Sequence, residues 1–340
     1  MNRFVRWLGR AAGWEGFLAL LVLLVAAYGW ARVPGFATSF NLSQIAAGVS
    51  EKALLVLPMV LLIIAREIDL SVASILGLCS VVLGLLLRAE VPLAAAVAAT
   101  FAVGAAAGAM NGLLVTRLLL PSLVVTLGTM ALFRGLSYIL LGTDSVSELP
   151  ALLTDFGVDN VPGTAVPWIF VPFLLLAPVF AVFLHRTATG RRIYAIGGNP
   201  DVALYTGIRV ARLRMGMFVA SGLVCALASV VLTARLSSAR ASNGLGFELD
   251  VITIALLGGI SVFGGRGRMG GVFWALALVA LIRNLLALNQ TGGDAQGLAI
   301  GFLLIFSLLL SNGIRRLANT ASARRLVQRF SNRRIEGPVP

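Results

Sequence analysis

Lysine is almost missing from this chain: among 27 basic side chains, Lys52 is the single lysine. A Walker A phosphate loop needs a Gly-Lys pair, and Lys52 follows Glu51, so this chain carries no such ATP site. Histidine is as scarce. His185 stands alone beside Arg186 at the end of an apolar run, a setting for an interfacial role rather than for general base chemistry. The two cysteines, Cys79 and Cys225, both fall inside apolar runs and act there as small hydrophobes, which supports neither a disulfide framework nor a metal site. Charge as a whole is thin, at 12% of 340 residues, against 59% hydrophobic residues and a mean hydropathy of +0.95. A water-soluble monomeric domain could not hide that much apolar surface, so the chain reads as a polytopic membrane protein.

The net charge of +13 comes almost wholly from arginine. A basic excess can mean nucleic acid, but here the arginines cluster in loops beside apolar runs, as membrane orientation requires. Arg3, Arg6 and Arg10 precede an apolar run at 17–30, with no small-residue cleavage site before Pro34, which predicts a retained first span. Measured against the roughly 20 residues a helix needs to cross a bilayer, the apolar runs predict an all-α transmembrane bundle of ten spans. They lie near 16–32, 52–65, 70–87, 92–115, 121–141, 167–184, 214–234, 250–265, 269–288 and 297–311. The second, eighth and tenth are short enough that one of them could be broken or re-entrant. Ten crossings put three arginine-rich pieces on one side: the N-terminus 1–15, the loop 186–214, and the tail 313–340 behind the transmembrane domain 16–312. That tail carries Arg315, Arg316, Arg324, Arg325, Arg329, Arg333 and Arg334. The positive-inside rule makes this side, and both termini, cytosolic. The 142–166 loop, with Asp144, Glu148, Asp155, Asp159 and no basic residue, falls outside.

Within the loop, 199–207 has the marks of a short helix lying on the membrane surface. Asn199 can cap it, Pro200 suits its first position, Asp201 suits its positive end, and Gly207 can stop it. Tyr194, Leu204, Tyr205 and Ile208 add apolar knobs among the arginines, a mixture that suits protein docking as well as headgroup anchoring. Gly104, Gly108 and Gly112 form a small-residue ridge for close helix packing. The run from Gly265 to Gly270 matches G-x-G-x-x-G, but with no preceding soluble strand and no acidic residue downstream it reads as a tight turn between spans eight and nine. Charges inside spans cost roughly 2.5 to 3.5 kcal/mol each at a helix centre, so their positions carry information. The central thirds of the expected spans are free of acidic groups. Arg134 and Arg283 lie about two-thirds along spans five and nine, and Glu51, Glu248 and Asp250 at the outer ends could pair with them. Asp69 fits a helix cap at the start of span three, and Ser122, Thr126 and Thr129 could line a polar path.

Five landmarks in order, EIDLSVASILGL at 67–78, NGLLV at 111–115, PSLVVTLGTMALFRG at 121–135, GRRIYAIGGNPDVALYTGI at 190–208 and LLGGISVFGGRGRMGG at 256–271, resemble the membrane permeases of bacterial ATP-binding-cassette importers for ribose, xylose, arabinose, rhamnose and autoinducer-2. The resemblance covers about 40–312. It implies a permease of the bacterial inner membrane that pairs with a second permease subunit, identical or related, is fed by a periplasmic solute-binding protein and is driven by a cytosolic ATPase. ATP and magnesium would be bound by that partner, leaving this chain without a cofactor. It further implies that Gly190, Arg191, Arg192, Tyr194, Gly197, Gly198, Asn199, Pro200, Ala203, Tyr205 and Gly207 belong to the element that fits the ATPase. Two departures stand out. Arg66 and Glu67 occupy a place where relatives usually carry Gly-Gly, and 236–250, LSSARASNGLGFELD, looks closest to the autoinducer-2 and rhamnose branches. For a neutral, sugar-like solute, Asp69, Ser71, Asn111, Ser122, Thr126, Thr129 and Asn284 are the candidate path, and no carboxylate is obligatory. The competing class is an ion-coupled secondary transporter, which would use intramembrane Asp, Glu or His relays. A membrane enzyme would need a polar catalytic cluster that the outer acids do not form.

Overall fold

The computed structural model describes residues 13–290 together with 297–298 and 301–302. The rest of the expected tenth span and the basic tail lie outside these residues. In chain order the helices are α1 (Trp14–Arg32), α2 (Ser39–Ala47), α3 (Ser50–Ile64), α4 (Val72–Arg88), α5 (Leu93–Arg117), α6 (Ser122–Leu141), α7 (Ala151–Val158), α8 (Val171–Arg186), α9 (Ala188–Gly198), α10 (Pro200–Tyr205), α11 (Val210–Leu236), α12 (Phe247–Leu257) and α13 (Met269–Leu288). A two-residue antiparallel ladder, β1 (Ser145–Val146) with β2 (Ala239–Arg240), pairs Ser145 with Arg240 and Val146 with Ala239. Among the described residues, six helices are long and apolar enough to cross a bilayer, and seven if the pair α2 and α3, bent by 41°, forms one span. The largely apolar α4 is just shorter, at 17 residues.

The bundle is built around α3 and α11. Every residue of α3 from Ser50 to Ile64 is buried, as expected of a helix that is apolar all round and surrounded by others. Against α11 packs α5, and the glycine ridge explains the approach. A Cβ added at Gly104 would run into the Gly222 carbonyl, one at Gly108 into that of Phe218, and one at Gly112 into Met215. Lipid tails give helices no hydrophobic reason to associate, so close backbone contact through such residues supplies the attraction.

The expected eighth span, 250–265, is different in kind. After α11 ends at Leu236, with Ser237 in the left-handed region (φ 47°), the chain passes β2 and a tight turn, and becomes helical again only for the 11 residues of α12. From Gly258 to Arg268 it is a glycine turn, with positive φ at Gly259, Gly264, Gly265 and Gly267. At 1.5 Å per residue α12 covers about 16 Å, half a bilayer. The other half of this crossing is irregular backbone, tolerable at depth only if its polar groups are satisfied by protein. Arg134 supplies that. Its guanidinium donates to the carbonyls of Ala241, Asn243 (3.0 Å) and Ala73 (3.1 Å), and Gly77 leaves the space it occupies. Asn243 Nδ2 donates to Ser80 Oγ at 2.9 Å and to the Ser238 carbonyl at 3.2 Å. Arg134 is therefore held by backbone carbonyls, where pairing with an outer-end carboxylate was expected. Two further helices lie where loops were expected: α7 in the acidic 142–166 segment, seated through Gly157 on the Ala234 carbonyl, and α9 ahead of the short helix at 199–207.

Candidate functional site

At the arginine-rich end of the bundle, 187–209 forms a platform. Thr187 Oγ1 accepts from the Gly190 amide at 3.1 Å and so caps α9, whose first turn presses so closely on α8 that a Cβ at Gly190 would meet the Leu184 carbonyl. Asn199 Oδ1 accepts from the amides of Asp201 (3.0 Å) and Val202 (3.2 Å), Pro200 opens α10, and Gly207 (φ 81°) ends it. This is the capped short helix read from the sequence.

What fixes the platform is Arg66, with φ +66°. Its Nε donates to the carbonyls of Gly197 (2.8 Å) and Phe263 (2.9 Å), and its terminal nitrogen to that of Gly198 (2.8 Å). The Gly265 amide donates to the Ile64 carbonyl at 2.8 Å, and Gly197 lies so close to both groups that no Cβ fits. The Tyr194 hydroxyl donates to the Gly267 carbonyl at 2.8 Å. Burial pushes this phenol's pKa up, with Arg268 pulling the other way, so it keeps the proton it donates. The ends of α3 and α9 and the glycine turn thus form one body. Glu67, nearly buried, pairs with Arg214 at the foot of α11 at 2.7 Å.

On that body Tyr205 is 90% exposed, and Leu204, Val202, Arg191, Arg192, Gly198 and Asn199 are exposed too, while Ala203 faces inward. Of the four apolar knobs expected for docking, Leu204 and Tyr205 point outward; Tyr194 is turned in and Ile208 packs against the core. The exposed Phe263 was not among the expected knobs.

The path residues are partly gathered. Asp69 is fully buried, and its Oδ1 accepts from the Ser71 amide (3.0 Å) and Ser71 Oγ (2.6 Å), while Oδ2 accepts from Ser221 Oγ (3.1 Å). Asn111 Nδ2 donates to Ser71 Oγ at 2.7 Å. Ser122 Oγ accepts from the Ile68 amide at 3.2 Å, and Thr126 Oγ1 donates to the Ile68 carbonyl at 3.1 Å. Five of the residues therefore surround the 68–71 turn. Thr129 sits one turn further along α6, and Asn284 is elsewhere, paired with Asn41 on α2. Asp69 accepts from the Ser71 amide just ahead of α4, the contact expected of a residue capping that end, and it also ties the start of the helix to α11 through Ser221, which sequence reading missed. A 420 Å³ cavity opens next to this turn, between Glu67, Ile68, Ser122 and Arg214.

A family model described as branched-chain amino acid transport system / permease component matches residues 41–308, most of the chain. The chain belongs to that permease family. The permease is 33% identical over 316 residues to the autoinducer 2 import system permease protein LsrD of Photorhabdus temperata, covering 89% of this chain and 92% of that one. It is 32% identical over 338 residues to the LsrD protein of Escherichia coli K12, covering 96% and 98%. No solved structure matches it. With its apolar helices, the permease is a multi-pass inner-membrane protein of the sugar-type ATP-binding-cassette importers, a class that works in general with an ATPase and a solute-binding protein.

Proposed function

We propose that this chain is one permease subunit of an ATP-driven importer. It forms half of the translocation path for a sugar-like solute handed over by a periplasmic binding protein, and a second permease subunit forms the other half. Ten crossings, the last at 297–311, put both termini and the arginine-rich platform in the cytosol. ATP and magnesium belong to a separate ATPase that docks on α9 and α10. Because both relatives are named for autoinducer-2 import over nearly their whole length, autoinducer-2 is the first solute to test and rhamnose the second.

The observation that carries this reading is the platform. A 90% exposed tyrosine and an exposed leucine sit on a six-residue helix whose backbone is tied to α3 and to the glycine turn. A free apolar tip on a rigid base transmits force where a mobile loop would not. Charge reversal at Arg191 and Arg192 together with Tyr205→Ala should abolish solute-stimulated ATP hydrolysis by the purified complex while membrane insertion stays normal. Undiminished stimulation in that variant would refute docking at α10. Recovery of the chain alone from mild detergent, with uptake driven by an ion gradient, would favour a secondary transporter instead.

A further inference from the structure

Asp250, expected at the outer end of a span, lies in the first turn of the short helix α12. Because this helix is short, Asp250 stands deep in the bundle and not at an outer surface. There it meets Lys52 Nζ at 2.8 Å, and the terminal nitrogen of Arg283 contacts both its oxygens, at 2.8 and 2.7 Å. Next to Lys52, Glu51 Oε1 accepts from Arg235 Nε at 2.6 Å, and the Lys52 ammonium lies 4.6 Å from the centre of the Phe247 ring. Lys52 is twelve residues from the end of α3 that carries Ile64, and Arg283 fourteen from the start of α13. At 1.5 Å per residue these are about 18 and 21 Å above the platform end, past the middle but still inside a hydrocarbon core about 30 Å thick counted from that end.

Five charged side chains at that depth are costly, and their exposure is graded. The side chains of Glu51 and Lys52 are 0% and 6% exposed, those of Asp250, Arg283 and Arg235 17%, 27% and 28%. A guanidinium with about a quarter of its side chain turned to lipid would cost several kcal/mol, which favours a polar space at the open rim. Hydrogen-bonding capacity is also left over. Among the described residues, Glu51 Oε2 and Arg283 Nε are buried without a partner, one an acceptor and the other a donor. A solute carrying several hydroxyls offers groups suited to each. The carboxylates already hold cations on short contacts, which leaves little net charge for an ionic ligand, and the Phe247 ring offers an apolar surface at the rim.

We propose that Glu51, Lys52, Asp250 and Arg283 form a mid-membrane binding site for a neutral polyhydroxylated solute. Arg235 orients Glu51. The inference rests on the importer reading and names where its solute is held.

The rival role is a clasp that joins α3, α11, α12 and α13 without touching solute. Reconstituting the complex in liposomes and measuring ATP-dependent uptake of autoinducer-2, rhamnose and ribose separates the two. Arg283→Lys keeps the charge opposite Asp250 but loses the Nε donor, so it should melt with wild type while its apparent KM for the transported solute rises at least about tenfold, the worth of one hydrogen bond to a charged group. Glu51→Gln, nearly isosteric, should shift the preference among the three solutes and covers the case in which Arg283→Lys does not assemble. Unchanged KM and preference in Arg283→Lys and Glu51→Gln would leave only the clasp and overturn the site. Absence of ATP-dependent uptake by wild type would overturn the importer reading itself.

Discussion

Arg66 holds a left-handed backbone, which costs a non-glycine residue roughly 1–2 kcal/mol. A glycine would adopt it freely. What the arginine adds is three charge-assisted hydrogen bonds to the carbonyls of Gly197, Gly198 and Phe263, each worth roughly 1.5–3 kcal/mol. Arg66→Gly should therefore relieve strain and still lose stability, with coupling lost first because the platform loosens from α3. Solute-stimulated ATP hydrolysis should fall several-fold more than the basal rate. Equal loss in both would mean that Arg66 serves stability alone. The presence of the charged pair was legible in the sequence. Its role was not, since partners 131 and 197 residues away are set by where the glycine turn folds back.

At the scale of elements, the spans that could be read were those whose apolar runs are continuous, and α1, α5, α6, α11 and α13 lie within a few residues of expectation. The capping signals at Asn199, Pro200 and Gly207 fixed α10 because they act locally. The expected eighth span, already short enough in the sequence to be a broken one, had bounds that could not be read for a physical reason: Val251, Ile254 and Ile260 belong to one apolar run whether its backbone is helical or turned, and hydropathy cannot see where Gly258 and Gly259 break it. The irregular half depends on Arg134, so Arg134→Met should leave the Ala241 and Asn243 carbonyls unsatisfied, while the Ala73 carbonyl keeps its partner inside α4. At about 1–3 kcal/mol for each buried group, the loss is about 2 kcal/mol or more. Thermal melting in detergent should fall markedly for Arg134→Met and less for Arg134→Lys, which keeps a donor. Equal melting of wild type and Arg134→Met would mean that water reaches those carbonyls.

For the molecule as a whole, the charge distribution sets a direction that the helices can be asked to report. The platform end carries exposed Arg191, Arg192, Arg209 and Arg212, while α7 and its flanks carry Asp144, Glu148, Asp155 and Asp159 near the opposite ends of α4 and α11. Basic residues resist translocation and acidic ones contribute little, so the orientation proposed above puts the first group in the cytosol and the second in the periplasm. Both native cysteines are buried, which leaves introduced ones as the accessible thiols among the described residues. Tyr205→Cys on α10 and Leu152→Cys on α7 place exposed thiols at the two ends. A membrane-impermeant maleimide added to cells with a permeable outer membrane should label Leu152→Cys at once, and Tyr205→Cys only after the inner membrane is opened. The reverse order would invert the bundle, put α10 out of reach of any cytosolic ATPase, and remove the basis for coupling through the platform.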